Sequence, residues 1–132
     1  MAGASGADRR PLSPHLSVWR WHVTMAGSIL HRATGIGLYA AAIGLALWLT
    51  AAAAGPEAYT PIGLILSDWY GQGALYLLLA ALAYHLANGV RHLVFDFGFG
   101  MKLADADVSA WFAILFAIIA PIGLWLLLRF GT

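Results

Sequence analysis

The sequence reads as an all-α membrane protein: three transmembrane helices behind an N-terminal interfacial arm, packing into a helical bundle. Two observations lead there. Of 132 residues, 61% are hydrophobic and only 10% charged, with a mean hydropathy of +0.78, where a soluble domain carries about 25% charged residues. The apolar residues also gather into three stretches, 28–54, 73–95 and 108–130, each with roughly the 20 residues that cross a hydrocarbon core of about 30 Å. Helix is the expected spanning form, because three segments cannot close a barrel and an unpaired backbone is not tolerated in lipid.

Taken in order, residues 1–27 form the arm and 28–132 the membrane domain, a single unit at this length. The segment RPLSPHLSVWRWHVTMAGS, 10–28, is rich in proline, aromatic and basic residues but too polar to span. It reads either as a docking arm or as an amphipathic lead-in lying on lipid headgroups. No secretory leader is expected, since the first long apolar run follows Arg32 without a small-residue cleavage site. The first loop, 55–69, holds Pro56, Glu57, Pro61 and Asp68 and has room for a short interfacial helix. The second, 98–107, is short enough to make helices two and three antiparallel neighbours. Pro121 lies inside the third stretch and is expected to kink it, which membrane helices tolerate.

Basic residues set the expected orientation. Arg9, Arg10, Arg20 and Arg32 precede or open the first span, and Arg91 and Lys102 close the second, so six of seven basic residues mark one side. That side is read as cytoplasmic, in a bacterial inner membrane, with the N-terminus inside; in a eukaryote it would be the mitochondrial matrix. Trp19, Trp21, Trp48, Trp69, Tyr70 and Trp111 fall near segment ends as an aromatic belt. A net charge of +1 offers no electrostatic case for nucleic acid. The absence of cysteine excludes disulfides, thiolate-held iron–sulfur clusters within this chain and thiolate haem ligation. Any cofactor must be held by nitrogen or oxygen ligands.

Two clusters could carry chemistry, and the topology brings both to the inner half of the membrane. Ser28, His31, Arg32 and Thr34 open the first span. Ser28 and Arg32, at i and i+4, share a helix face, and a hydroxyl beside a guanidinium can donate to a quinone carbonyl or a haem propionate. The plainer alternative makes Ser28 a helix cap and lets Arg32 snorkel to lipid phosphates. The second cluster is His85, Asn88, Gly89, Arg91, His92 and Asp96. An ionisable group at membrane depth is costly and usually has a function and a partner. His85 and His92 are two turns apart on one face, and histidine is a common haem axial ligand. Gly89 would let a macrocycle or a neighbouring helix approach. Arg91 and His92 could pair with propionates, and Asp96 with Arg91 or Lys102. The alternative is a histidine hydrogen-bonded between helices. His15, His22 and His31 are expected near or outside the inner edge, so a bis-histidine haem needs another subunit.

These stretches together resemble the cytochrome b subunit family of succinate dehydrogenase, the enzyme of respiratory complex II, over roughly residues 10–103. RPLSPHL at 10–16 resembles the N-terminal motif of its mitochondrial and alphaproteobacterial branch. SILHRATG at 28–35 is similar to the signature S-I-x-H-R-x-[TS]-G, and HLANGVRHLVFDFG at 85–98 to H-x-x-x-G-x-R-H-[LM]-x-x-D-x-G. The third span is matched by hydrophobicity alone, and Thr24 stands where mitochondrial relatives tend to have proline. The resemblance implies a complex with a flavoprotein subunit that oxidises succinate, an iron–sulfur subunit and a second membrane anchor. It implies haem b, with His85 as the metal ligand from this chain and the other ligand from the partner anchor. Ser28 and Arg32 match quinone-pocket positions for ubiquinone. His31 and Arg32 match positions near the haem propionates, with His92 close to them.

Three other readings stand beside this one. A haem-free structural anchor is disfavoured by His85. The anchor of a quinol–fumarate reductase would share every feature of this chain. A small channel with a histidine proton relay would need polar groups along helices one and three, which are nearly bare.

Overall fold

The computed structural model describes residues 19–131 as four α-helices, with no strand among them. They are α1 (Val23–Ala54), α2 (Pro56–Ser67), α3 (Trp69–Asp96) and α4 (Leu103–Phe130). α1, α3 and α4 are each long and apolar enough to cross a membrane. α2 occupies the first loop as the expected short helix, opened by Pro56 at its first position, where a missing N–H costs nothing. RPLSPHL at 10–16, and His15 with it, lies outside the described residues.

The spans are longer than the apolar stretches because polar residues extend each helix beyond the hydrophobic core. α1 begins at Val23 rather than 28, with His22 as its N-cap; His22 Nδ1 lies 2.8 Å from the Thr24 hydroxyl. Its 32 residues make a rod of roughly 48 Å at about 1.5 Å per residue, longer than the bilayer's apolar interior. α4 begins at Leu103, so the connection from α3 shrinks to 97–102. Gly98 and Gly100 turn it with φ of 82° and 69°, a conformation other residues avoid. α4 runs unbroken through Pro121 to Phe130, and Pro121 is buried.

α3 is the central helix, packed against both α1 and α4, while α2 lies across α1 and α3. Close approach comes from small residues: Gly27 on α1, and Ala110 and Ala113 on α4, are buried. Lipid tails are as apolar as leucine, so membrane helices gain from backbone-to-backbone packing rather than from hiding large side chains. Gly71 shows the same need at the α2–α3 corner, where an added Cβ would collide with the Ile65 carbonyl oxygen. Large apolar side chains such as Ile36, Leu77, Leu86, Ile119 and Leu127 point outward. A helix apolar on all sides belongs in a nonpolar solvent.

Candidate functional site

The polar residues of the membrane domain converge where the N-terminal third of α1 crosses the C-terminal half of α3. Because α1 starts early, His31 lies eight residues inside the helix, roughly 12 Å from its start at about 1.5 Å per residue. His31, expected nearer the edge than His85, is level with it. The two imidazoles stack with ring centroids 3.9 Å apart and planes 10° from parallel. His92 stands one layer away, its ring 5.3 Å from His31 and tilted by 59°. Gly89 faces His31, where a Cβ would sit 4.0 Å from His31 Cε1, an ordinary contact.

His85 is held by α1. Its Nδ1 lies 3.2 Å from the backbone carbonyl oxygen of His31 and 3.2 Å from the Thr34 hydroxyl. A carbonyl can only accept, so Nδ1 carries the proton and donates. The Thr34 hydroxyl is itself directed back to the Leu30 carbonyl at 2.8 Å and the His31 carbonyl at 3.0 Å. In this tautomer Nε2 keeps its lone pair, as a metal-binding imidazole requires. His31 presents the complementary feature: its Nδ1 is buried with no hydrogen-bond partner among the described residues. Leaving a buried polar atom unpaired costs about 1–3 kcal/mol.

Ser28 and Arg32 share a face as their spacing required. Arg32 donates from Nη2 to the Ser28 hydroxyl at 3.2 Å and from Nε to the Ser28 carbonyl at 3.4 Å. Ser28 is inside α1, not at its start, so the helix-cap alternative falls away. Arg32 is exposed and Ser28 half-buried. The pair offers a hydroxyl and a guanidinium together at the edge of the histidine cluster, a donor set for a carbonyl or carboxylate oxygen. His92 is exposed and accepts from Asn88 Nδ2 on Nε2 at 3.2 Å.

Arg91 departs from expectation. Its side chain turns away from the histidines into the α3–α4 seam, where it is 8% exposed. Nε donates to the Ser109 hydroxyl at 2.9 Å, Nη2 to the Ala106 carbonyl at 3.1 Å and Nη1 to Asn88 Oδ1 at 3.4 Å. The guanidinium carbon lies 4.5 Å from the centre of the Phe95 ring. Neither Asp96 nor any other described carboxylate forms an ion pair with it. Arg91 is therefore a strut between helices, and Asn88, 1% exposed, links it to His92. Sequence reasoning passed over Tyr84 and Gly35. The Tyr84 hydroxyl donates to the Gly27 carbonyl at 2.8 Å, buried between α1 and α3, and an interfacial glycine on α1 was the available signal. At the rim, His22 Nε2 lies 3.4 Å from Asp107 Oδ1, tying the start of α1 to the start of α4.

Residues 6–124 match the family described as succinate dehydrogenase/fumarate reductase transmembrane subunit. The chain is 39% identical over 101 residues to the succinate dehydrogenase cytochrome b556 subunit of Paracoccus denitrificans, covering 76% of this chain and 78% of that one. It is 33% identical over 129 residues to the subunit of the same name from Rickettsia felis, covering 89% and 92%. Against the human mitochondrial succinate dehydrogenase cytochrome b560 subunit the identity is 36% over 122 residues, covering 89% and 70%. With the family model matched over residues 6–124 and relatives 33–39% identical over most of the chain, the chain belongs to the family of succinate dehydrogenase/fumarate reductase transmembrane subunits.

Proposed function

We propose that this chain is a membrane-anchor cytochrome b subunit of a succinate dehydrogenase complex. In this reading it binds haem b jointly with a second membrane-anchor subunit and helps form the site of ubiquinone reduction. It also anchors the iron–sulfur and flavoprotein subunits at the membrane surface. The observation that carries the proposal is the 3.2 Å contact of His85 Nδ1 with the His31 carbonyl oxygen, which favours the tautomer that leaves Nε2 as a nitrogen donor.

The residues suit such a group. His85 would hold the haem iron from this chain, and the partner anchor would supply a second ligand. The buried, unpartnered Nδ1 of His31 needs a hydrogen-bond partner from outside the described chain, and a propionate is one that would satisfy it. Arg32 and His92 are exposed beside it and supply further donors for carboxylate. When bound, the haem supplies a one-electron redox centre within the membrane.

Ser28 and Arg32 are assigned to ubiquinone. Reduction of a quinone places negative charge on its carbonyl oxygens before protons arrive. A hydroxyl and a guanidinium held 3.2 Å apart are preorganised to donate there, which stabilises the charge as it develops. The excess of basic residues near the start of α1 and the end of α3 supports a cytoplasmic reading of this side and would favour docking of the iron–sulfur subunit on it.

The test is the optical difference spectrum, dithionite-reduced minus oxidised, of the purified complex carrying His85→Ala. The low-spin haem bands should be lost or strongly reduced while succinate-to-dye electron transfer survives. Unchanged bands would overturn the ligand assignment.

A further inference from the structure

We infer that the Thr34–Gly35 step of α1 is the seat of His85, positioning its imidazole rather than merely packing beside it. The inference rests on the proposed role of His85 as ligand and extends it to residues with no assigned part in the site. Gly35 is one of several glycines on α1, and it differs from its neighbours. A Cβ built on Gly35 would lie 3.1 Å from His85 Cε1 and 3.7 Å from His85 Nδ1. A Cβ on Gly37 or on Gly44 would meet nothing within 4 Å. Unlike at Gly37 and Gly44, a side chain here would press on the edge of the imidazole.

The geometry explains what the gap achieves. The Nδ1–H bond to the His31 carbonyl requires the ring to lie against the α1 backbone, with the ring edge toward Gly35. At 3.1 Å an added methyl is tighter than normal carbon contact, and both obstacles around it are constrained. His85 is held between the stacked His31 ring and the α1 backbone, so the ring can yield only by lengthening its bond to the carbonyl or by turning about its own axis. Thr34 acts on the same nitrogen. Its hydroxyl is pinned by the carbonyls of Leu30 and His31 and sits 3.2 Å from Nδ1, so two oxygen atoms converge there. The strength of a hydrogen bond at the far nitrogen of a metal-bound imidazole changes the basicity of the ligating nitrogen, and so tunes the metal. Thr34 and Gly35 are therefore positioning residues for the ligand and do not touch the iron themselves.

The experiment uses the assembled complex in detergent and compares Gly35→Ala, Thr34→Val, Gly37→Ala and His85→Ala. Haem content, the Soret and α-band positions, the low-spin ferric electron-paramagnetic-resonance signal and the haem midpoint potential are measured for each. Gly35→Ala should shift the resonance signal and the potential, and lower haem occupancy several-fold, while Gly37→Ala matches the parent in every readout. Thr34→Val adds no bulk at the ring, so it assembles even if Gly35→Ala does not, and it should move the potential at unchanged occupancy. If His85→Ala abolishes the haem signal and both Gly35→Ala and Thr34→Val leave spectrum and potential as in the parent, the seat is overturned and the ligand stands. Equal shifts in Gly35→Ala and Gly37→Ala would also overturn it, as a general effect on α1. Retention of the parental signal in His85→Ala would overturn the ligand reading itself.

Discussion

The imidazoles of His31 and His85, 54 residues apart in the chain, stack 3.9 Å apart with nearly parallel planes. Of the two, only His85 is hydrogen-bonded through its ring to the other's residue, and it uses the backbone of His31 for the purpose. The two histidines are therefore not equivalent, and substitutions at them should separate cleanly.

His31→Ala leaves the His31 carbonyl in place, so the tautomer of His85 is preserved. Low-spin haem should remain at reduced stability toward extraction, in contrast with the loss expected for His85→Ala. The measurement is haem retention in washed membranes. Loss of the signal as complete as that of His85→Ala would show that the ring of His31, not its backbone, secures the ligand.

Ser28→Ala and Arg32→Leu remove one donor each from the proposed quinone pair. A hydrogen bond to a charged group is worth about 1.5–3 kcal/mol, so ubiquinone reduction should fall roughly 10- to 100-fold by the usual conversion of about 1.4 kcal/mol per decade. Succinate-to-dye transfer should change little. Parallel loss of both activities would point to failed assembly instead of quinone binding.

Arg91→Leu should act on stability. The guanidinium joins Ser109, the Ala106 carbonyl and Asn88 across the α3–α4 seam, and its removal leaves the buried Asn88 Oδ1 and the half-buried Ser109 hydroxyl without that donor. Stranded buried partners cost about 1–3 kcal/mol each, enough to lower the thermal midpoint of the detergent-solubilised complex by several degrees. The KM for ubiquinone in the complex that survives should match the parent. A raised KM at an unchanged midpoint would return Arg91 to the ligand site.

Tyr84→Phe deletes one buried hydroxyl and keeps the ring. The Gly27 carbonyl loses its side-chain donor, at a net cost of about 0.5–1.5 kcal/mol. A small drop in thermal midpoint with an unaltered haem spectrum is the expected result. A spectral shift would mean that the α1–α3 distance at Gly27 is transmitted to His85.

Much of the site was legible before any coordinates. The i, i+4 spacing of Ser28 and Arg32 implied a shared face, and they meet at 3.2 Å. His85 stood out as the deepest ionisable residue, and the short second loop implied that α3 and α4 are neighbours, which they are. Each of these follows from helical geometry within one segment or from a short connection. That His31 would lie level with His85 was not legible, because hydropathy locates the apolar core of a span, whereas the helix continues outward through Thr24 to Val23 under its own hydrogen bonding. Arg91 was misplaced for a related reason. Spacing puts it near the same end of α3 as His92, but only the position of Ser109 and Ala106 on a neighbouring helix decides which way a long side chain turns.

The amino-acid sequence by itself determined the number of spans, the kind of solvent that surrounds them, the family and the list of residues able to ligate or donate. These depend on side-chain chemistry and on periodicity along one helix, both of which are local. Only the tertiary structure decided which nitrogen of His85 holds its proton, that Arg91 braces α4, and that Gly35 differs from Gly37. Those outcomes depend on the rotation and axial offset of helices joined through dozens of intervening residues, where a shift of one residue moves every facing group by about 1.5 Å along the axis and about a quarter-turn around it.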